Sequence, residues 1–136
     1  MNGEDPIALG LPHREPFVFV DAVVARVAGE SAECVKMFPA ATPFFAGHFP
    51  GTPLVPGVIL AEALAQTAGL AAGQPGRSFR LSAIKAMKFP APARPDEEIR
   101  LYAKCVAVVG TLWQFEVRAI TAGRTVAEGV VVLSEA

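Results

Sequence analysis

Apolar and polar residues alternate with a period of two through the second half of the chain, while one stretch near the middle is apolar on nearly every side. Residues 98–108 set Ile99, Leu101, Ala103 and Cys105 against Arg100, Tyr102 and Lys104. Residues 112–121 set Trp113, Phe115, Val117 and Ala119 against Gln114, Glu116 and Arg118, and residues 125–133 close the series. Strict alternation of this kind predicts half-buried strands, and the glycines at 110 and 123 supply tight turns between them. Upstream, residues 17–27 and 31–38 predict an antiparallel pair turning at Ala28 and Gly29, and residues 79–89 predict a further strand. Pro90, Pro92 and Pro95 end regular structure there, which predicts a sheet edge or a crossing between sheet regions.

The exception to the alternation is residues 56–72. Pro56 stands at the first turn, Gly73 follows the last, and between them runs an Ala- and Leu-rich segment whose single charge is Glu62. Proline at the entrance and glycine at the exit are helix punctuation. A helix without a polar face is expected at the centre of the fold. Its many alanines allow a sheet to approach the axis closely. Strands on both sides of one helix predict the α+β class, an antiparallel sheet wrapped round one long helix, as a single domain over 1–136.

Composition narrows the function. The formal net charge is −1, and no basic stripe interleaved with aromatics appears, which argues against nucleic acid as a partner. Residues 54–73 approach membrane-spanning length, but Glu62 and Gln66 fall mid-segment, two prolines crowd one end and small residues predominate. No membrane span is expected. The N-terminus lacks the apolar core of a secretory signal, and Cys34 and Cys105 lie apart within apolar runs, so a cytoplasmic protein with reduced thiols is expected. No metal-type ligand spacing is present.

The only plausible reaction chemistry lies at 44–73. His48 sits in a loop where Gly47, Gly51 and Gly57 alternate with Pro50, Pro53 and Pro56, and Glu62 follows two turns into the helix. A carboxylate without a polar face around it is costly and calls for a function. Gln66, one turn further, falls on the same helix face and is placed to orient it. The first N–H groups of the helix, at Gly57, have no acceptor within it and suit a site of developing negative charge.

The block GHFPGTPLVPGVILAEALAQ (47–66) resembles the signature of the 3-hydroxyacyl-(acyl-carrier-protein) dehydratases, whose hot-dog fold wraps a sheet round one helix. LPHREPFVFVDAV (11–23) and SAIKAMKF (82–89) resemble that family's N-terminal segment and the strand after its helix. The resemblance implies that His48 and Glu62 are the catalytic base and carboxylate. It makes Gly57 the residue whose N–H meets the thioester carbonyl. Glu rather than Asp at 62 favours dehydration without isomerisation. The resemblance also implies a homodimer or larger homo-oligomer in which His48 of one subunit faces Glu62 of the other, without cofactor. Phe44, Phe45, Phe49 and Val58 are expected to line an acyl tunnel with Gln66. His13 and Arg14 match the family segment and are expected to be structural.

Two departures bear on the partner. Glu15 stands where many relatives have an aromatic, and Pro90-Ala91-Pro92 replaces what is often a basic stretch. Docking of an acidic carrier protein would then fall to Arg77, Arg80, Lys85, Lys88 and Arg94, with coenzyme A thioesters as the other carrier. The rival readings are a hot-dog thioesterase, which needs no loop histidine, and a non-catalytic acyl-binding module.

Overall fold

The computed structural model describes residues 3–73 and 76–135, so Gln74 and Pro75, in the turn-rich connector expected between helix and strand, lie outside the described residues. Six strands form one antiparallel sheet: β1 (Ala22–Val27), β2 (Ser31–Met37), β3 (Phe79–Lys88), β4 (Glu98–Val109), β5 (Leu112–Thr121) and β6 (Arg124–Glu135). Their spatial order is β1-β2-β4-β5-β6-β3, with every neighbouring pair antiparallel. The helix α1 (Gly57–Ala72) packs across the concave face. This is the expected α+β, hot-dog arrangement.

The period-two pattern sorts the side chains as predicted. Ile99, Leu101, Phe115 and Ala119 are fully buried against α1, while Lys104, Glu116 and Arg118 face outward. Helix residues Ala63, Leu64, Ala68, Ala71 and Ala72 are likewise sealed. Leu64 is the largest of these, and its truncation to Ala would cost about 2–5 kcal/mol. One stripe of the helix is less covered: Val58, Glu62 and Gly69 recur at four- and seven-residue spacing on the face that the sheet leaves open.

β1 begins at Ala22, five residues later than its apolar run suggests. Asp21 N–H still bonds the Val35 carbonyl of β2 at 2.8 Å, but the backbone before it is bonded elsewhere. Gln66 takes the Phe19 N–H at 2.9 Å and donates to the Phe17 carbonyl at 3.0 Å, and the Asp21 carboxylate accepts the Met37 N–H at 2.8 Å. Side chains thus satisfy groups that a ladder would otherwise have used. Gly73 ends α1 for a reason other than left-handed geometry. Its φ is −63°, and a Cβ there would stand 2.9 Å from the Gly69 carbonyl oxygen. Arg26 closes the same end by donating to the carbonyls of Leu70 and Gly73.

β3 is an edge strand, and its exposed Leu81 and Ile84 stand beside exposed Phe89 and Val58. Beyond it the prolines carry the chain across the fold, where the Ala93 carbonyl accepts the Val55 N–H at 2.8 Å. Among the described residues no helix is long and apolar enough to cross a membrane.

Candidate active site

The loop bearing His48 is cinched by its own backbone. Leu54 N–H donates to the His48 carbonyl at 2.8 Å, and Phe49 and Thr52 exchange a reciprocal pair at 3.0 and 2.8 Å. The imidazole Nδ1 lies 2.9 Å from the Leu54 carbonyl. A carbonyl can only accept, so Nδ1 carries the proton and Nε2 keeps its lone pair. His48 lines an open cavity of about 400 Å³ with Leu54, Gly57, Leu60 and Phe89.

Gly57 opens the helix behind this cavity. Among the described residues its N–H has no acceptor, as expected for a first helical turn. The Phe89 ring covers it so closely that a Cβ on Gly57 would meet the ring at 3.1 Å. Absence of a side chain therefore keeps both the N–H and the ring where they are.

Glu62 faces elsewhere. It lines a cavity of about 250 Å³ with Val58, Leu81, Ile84, Met87 and Phe89, and a second, more enclosed cavity of about 150 Å³ with His13, Gln66, Gly69 and Leu133. Its side chain is 20 % exposed, so the carboxylate is not sealed among apolar helix neighbours. Gln66, 1 % exposed, donates from Nε2 to Glu62 Oε2 at 3.1 Å, which is the orienting contact its spacing predicts. His13 Nε2 stands 3.6 Å from the same oxygen. That contact escaped the sequence reading, although His13 is one of only two histidines in the chain. Arg14 is structural as expected, donating to the carbonyls of Leu11 and His13 at 2.8 Å.

Within one chain, then, His48 and Glu62 line different cavities, with Phe89 common to both linings. The tunnel candidates also divide. Phe49 is half exposed and stacks on His48 at 4.1 Å, and Val58 projects from the open helix face. Phe45 is buried and Phe44 packs against it and Phe38, so the structure places this pair in the core rather than on these cavities. Among the described residues no three His, Cys, Asp or Glu side chains gather as metal ligands would.

The model of the ApeI-like family, described as ApeI dehydratase, matches residues 25–130. The 3-hydroxyacyl-[acyl-carrier-protein] dehydratase FabZ of Nitratidesulfovibrio vulgaris is 36 % identical over 126 residues, covering 88 % of this chain and 82 % of that protein. FabZ of Anaeromyxobacter sp. is 39 % identical over 126 residues, covering 87 % and 80 %. The chain belongs to this dehydratase family. The dehydratase is accordingly a hydro-lyase. Its fold is also that of the dehydratase heterocomplex ApeI:P from Xenorhabdus doucetiae, with a TM-score of 0.80 at 16 % identity over 97 % of this chain and 91 % of that one. The fluoroacetyl-CoA thioesterase FlK shares it at a TM-score of 0.67 and 14 % identity, covering 81 % and 87 %. The fold alone therefore does not separate dehydratase from thioesterase, whereas the sequence relatives do.

Proposed function

We propose that this dehydratase converts a (3R)-hydroxyacyl thioester to the trans-2-enoyl thioester in fatty-acid or related acyl-chain biosynthesis, using His48, Glu62 and Gly57. The observation that carries the reading is the His48 imidazole, held by Leu54 through Nδ1 with Nε2 free beside the unpaired N–H of Gly57. His48 Nε2 takes the proton from the carbon next to the thioester carbonyl. The carbonyl oxygen gains charge and is met by the Gly57 N–H at the positive end of α1. Glu62 delivers a proton to the departing 3-hydroxyl as its C–O bond breaks and the new double bond forms. Water leaves, and His48 returns a proton to Glu62 through solvent. The sum is acid–base chemistry that calls on no redox group or metal.

Because one chain holds the base and the acid in different cavities, the working site joins His48 of one copy to Glu62 of a second across a homodimer. The exposed edge of β3 with Leu81, Ile84, Phe89 and Val58 is the face such a dimer would cover. Phe49 and Val58 border the thioester, and Gln66 holds Glu62. The acyl carrier is an acidic carrier protein attracted by the exposed Arg77, Arg80, Lys85, Lys88 and Arg94, and the setting is cytoplasmic.

The test is hydration of enoyl thioesters, the reverse reaction, followed spectroscopically beside release of free thiol. Wild type should equilibrate enoyl and hydroxyacyl species, while His48→Ala and Glu62→Gln stay folded and lose turnover. Thiol release that survives His48→Ala would establish a thioesterase instead.

A further inference from the structure

Two side-chain nitrogens converge on one oxygen of Glu62, and among the described residues none bonds the other. Gln66 cannot turn round: its Oε1 accepts the Phe19 N–H, so its amide nitrogen must face the Phe17 carbonyl and Glu62 Oε2. His13 approaches the same Oε2 with Nε2 at 3.6 Å, a small side-chain torsion from hydrogen-bond distance. Its other nitrogen, Nδ1, is buried with no partner among the described residues. A proton on that buried nitrogen would have nothing to bond, so the favoured tautomer carries its proton on Nε2, aimed at Glu62. The turn carrying the ring is held by Arg14 donating to the Leu11 and His13 carbonyls, by Phe17 N–H donating to the Arg14 carbonyl at 2.8 Å, and by Phe17 stacking on the ring. The remaining charged residues lining this cavity are Arg77, which pairs with Glu135, and Arg80.

We propose that His13 is a positioning residue for Glu62: with Gln66 it holds Oε2 as an acceptor, so that Oε1 is the oxygen that exchanges a proton with the substrate. In the dehydration direction the Oε1–H bond breaks as the proton passes to the departing hydroxyl, and both donors then remain on Oε2 of the carboxylate. This rests on the role given to Glu62 above. The two histidines of the chain then hold opposite tautomers, Nδ1–H in His48 and Nε2–H in His13.

The test compares His13→Ala and His13→Gln with wild type in enoyl-thioester hydration, and records nitrogen NMR of protein labelled in its two imidazoles. Gln places an amide nitrogen where the imidazole Nε2 stood. His13→Ala should lose kcat by about ten- to a hundredfold with little change in KM, as for loss of a donor to a charged group, and His13→Gln should restore most of it. The His13 resonances should show the Nε2–H form and shift in Glu62→Gln. Wild-type kcat in His13→Ala would overturn the proposal, as would failure of Gln to rescue, or equal loss of thermal stability in both variants. An Nδ1–H form of His13, or resonances indifferent to Glu62→Gln, would overturn it whatever the activity. Should wild type prove inactive on hydroxyacyl and enoyl thioesters, the proposed reaction fails, and the NMR comparison still decides the His13 contact.

Discussion

The amide nitrogen of Gln66 donates to Oε2 of Glu62 at 3.1 Å and to the Phe17 carbonyl at 3.0 Å, and the amide oxygen accepts the Phe19 N–H at 2.9 Å. One side chain thereby couples the fold of the N-terminal segment to Glu62, the proposed acid. Gln66→Leu keeps the volume but leaves the Phe19 N–H unpaired in the interior, at a cost of about 1–3 kcal/mol. It also frees Glu62 to rotate. Urea denaturation should show that loss, and kcat should fall by more than the lost stability explains at temperatures where the variant is fully folded. Retained stability would mean that water replaces the amide.

Gly57 makes a different prediction. Its backbone is helical, so alanine is sterically acceptable there and gains helix propensity of about 1 kcal/mol. The added methyl, however, would stand 3.1 Å from the Phe89 ring, which is half exposed and free to swing. Gly57→Ala should therefore fold with near wild-type stability yet lose activity by about tenfold or more, because the displaced ring and the methyl crowd the N–H proposed to meet the thioester. Thermal melts beside steady-state kinetics separate the two effects.

How much of this was legible before the fold was known depends on whether a residue's role is local. The helix bounds followed from Pro56 and Gly73 to within one residue, and the inward set of β4 and β5 followed from alternation, because both signals are local in sequence. The start of β1 was missed because its apolar run continues upstream, while the competing partner, Gln66, lies 47 residues away. His13 was taken as structural for the same reason: its nearness to Glu62 is created by folding, and nothing at 11–17 announces it. Phe44 and Phe45 were apolar residues beside a catalytic loop, and hydrophobicity does not say whether a ring faces a cavity or the core. His48, Gly57 and Glu62 stood out as candidates because a histidine among glycines and prolines, and a lone charge in an apolar helix, are each out of place.

The two thiols should differ sharply in reactivity. Burial pushes the Cys34 thiol up to about 12, against a smaller lowering by the Thr67 hydrogen bond. Cys105 is only half-buried, beside the Ala107 carbonyl. A disulfide reagent at pH 8 should modify Cys105 in the native protein and reach Cys34 only on unfolding. Since folded Cys34 holds its proton above the ordinary value of 9.0, stability should fall as pH rises from about 9 towards 12, and Cys34→Ala should flatten that part of the curve.

At acid pH the relevant pair is Glu97 and Arg124. The Arg124 guanidinium donates to both Glu97 oxygens, at 2.5 and 2.7 Å, and holds that carboxyl below its ordinary range, helped by the Arg94 N–H. A carboxylate with a depressed pKa stabilises the fold above the ordinary value of 4.5, and the contribution disappears as pH falls through the lower folded value. Glu97→Gln should therefore be less stable than wild type at pH 7, with the difference closing below about pH 4. Urea midpoints at the two pH values check this; a constant difference would assign the effect to packing.

The separation of His48 and Glu62 into different cavities gives the proposed dimer a quantitative test. His48→Ala keeps its own Glu62, and Glu62→Gln keeps its own His48, so each homodimer has two broken sites. If the two groups meet across subunits, a mixed dimer joins the intact His48 of one chain to the intact Glu62 of the other at one site and leaves the second site doubly broken. Random reassortment makes half the dimers mixed, so co-refolded protein should recover about a quarter of wild-type activity. If each site used one chain's own His48 and Glu62, no recombination of subunits would restore anything. A charge on the exposed edge, Ile84→Asp, supplies the complementary arm: it should yield folded monomers without turnover, since a lone chain presents the base and the acid to different cavities. Activity retained by such monomers would place both groups within one chain.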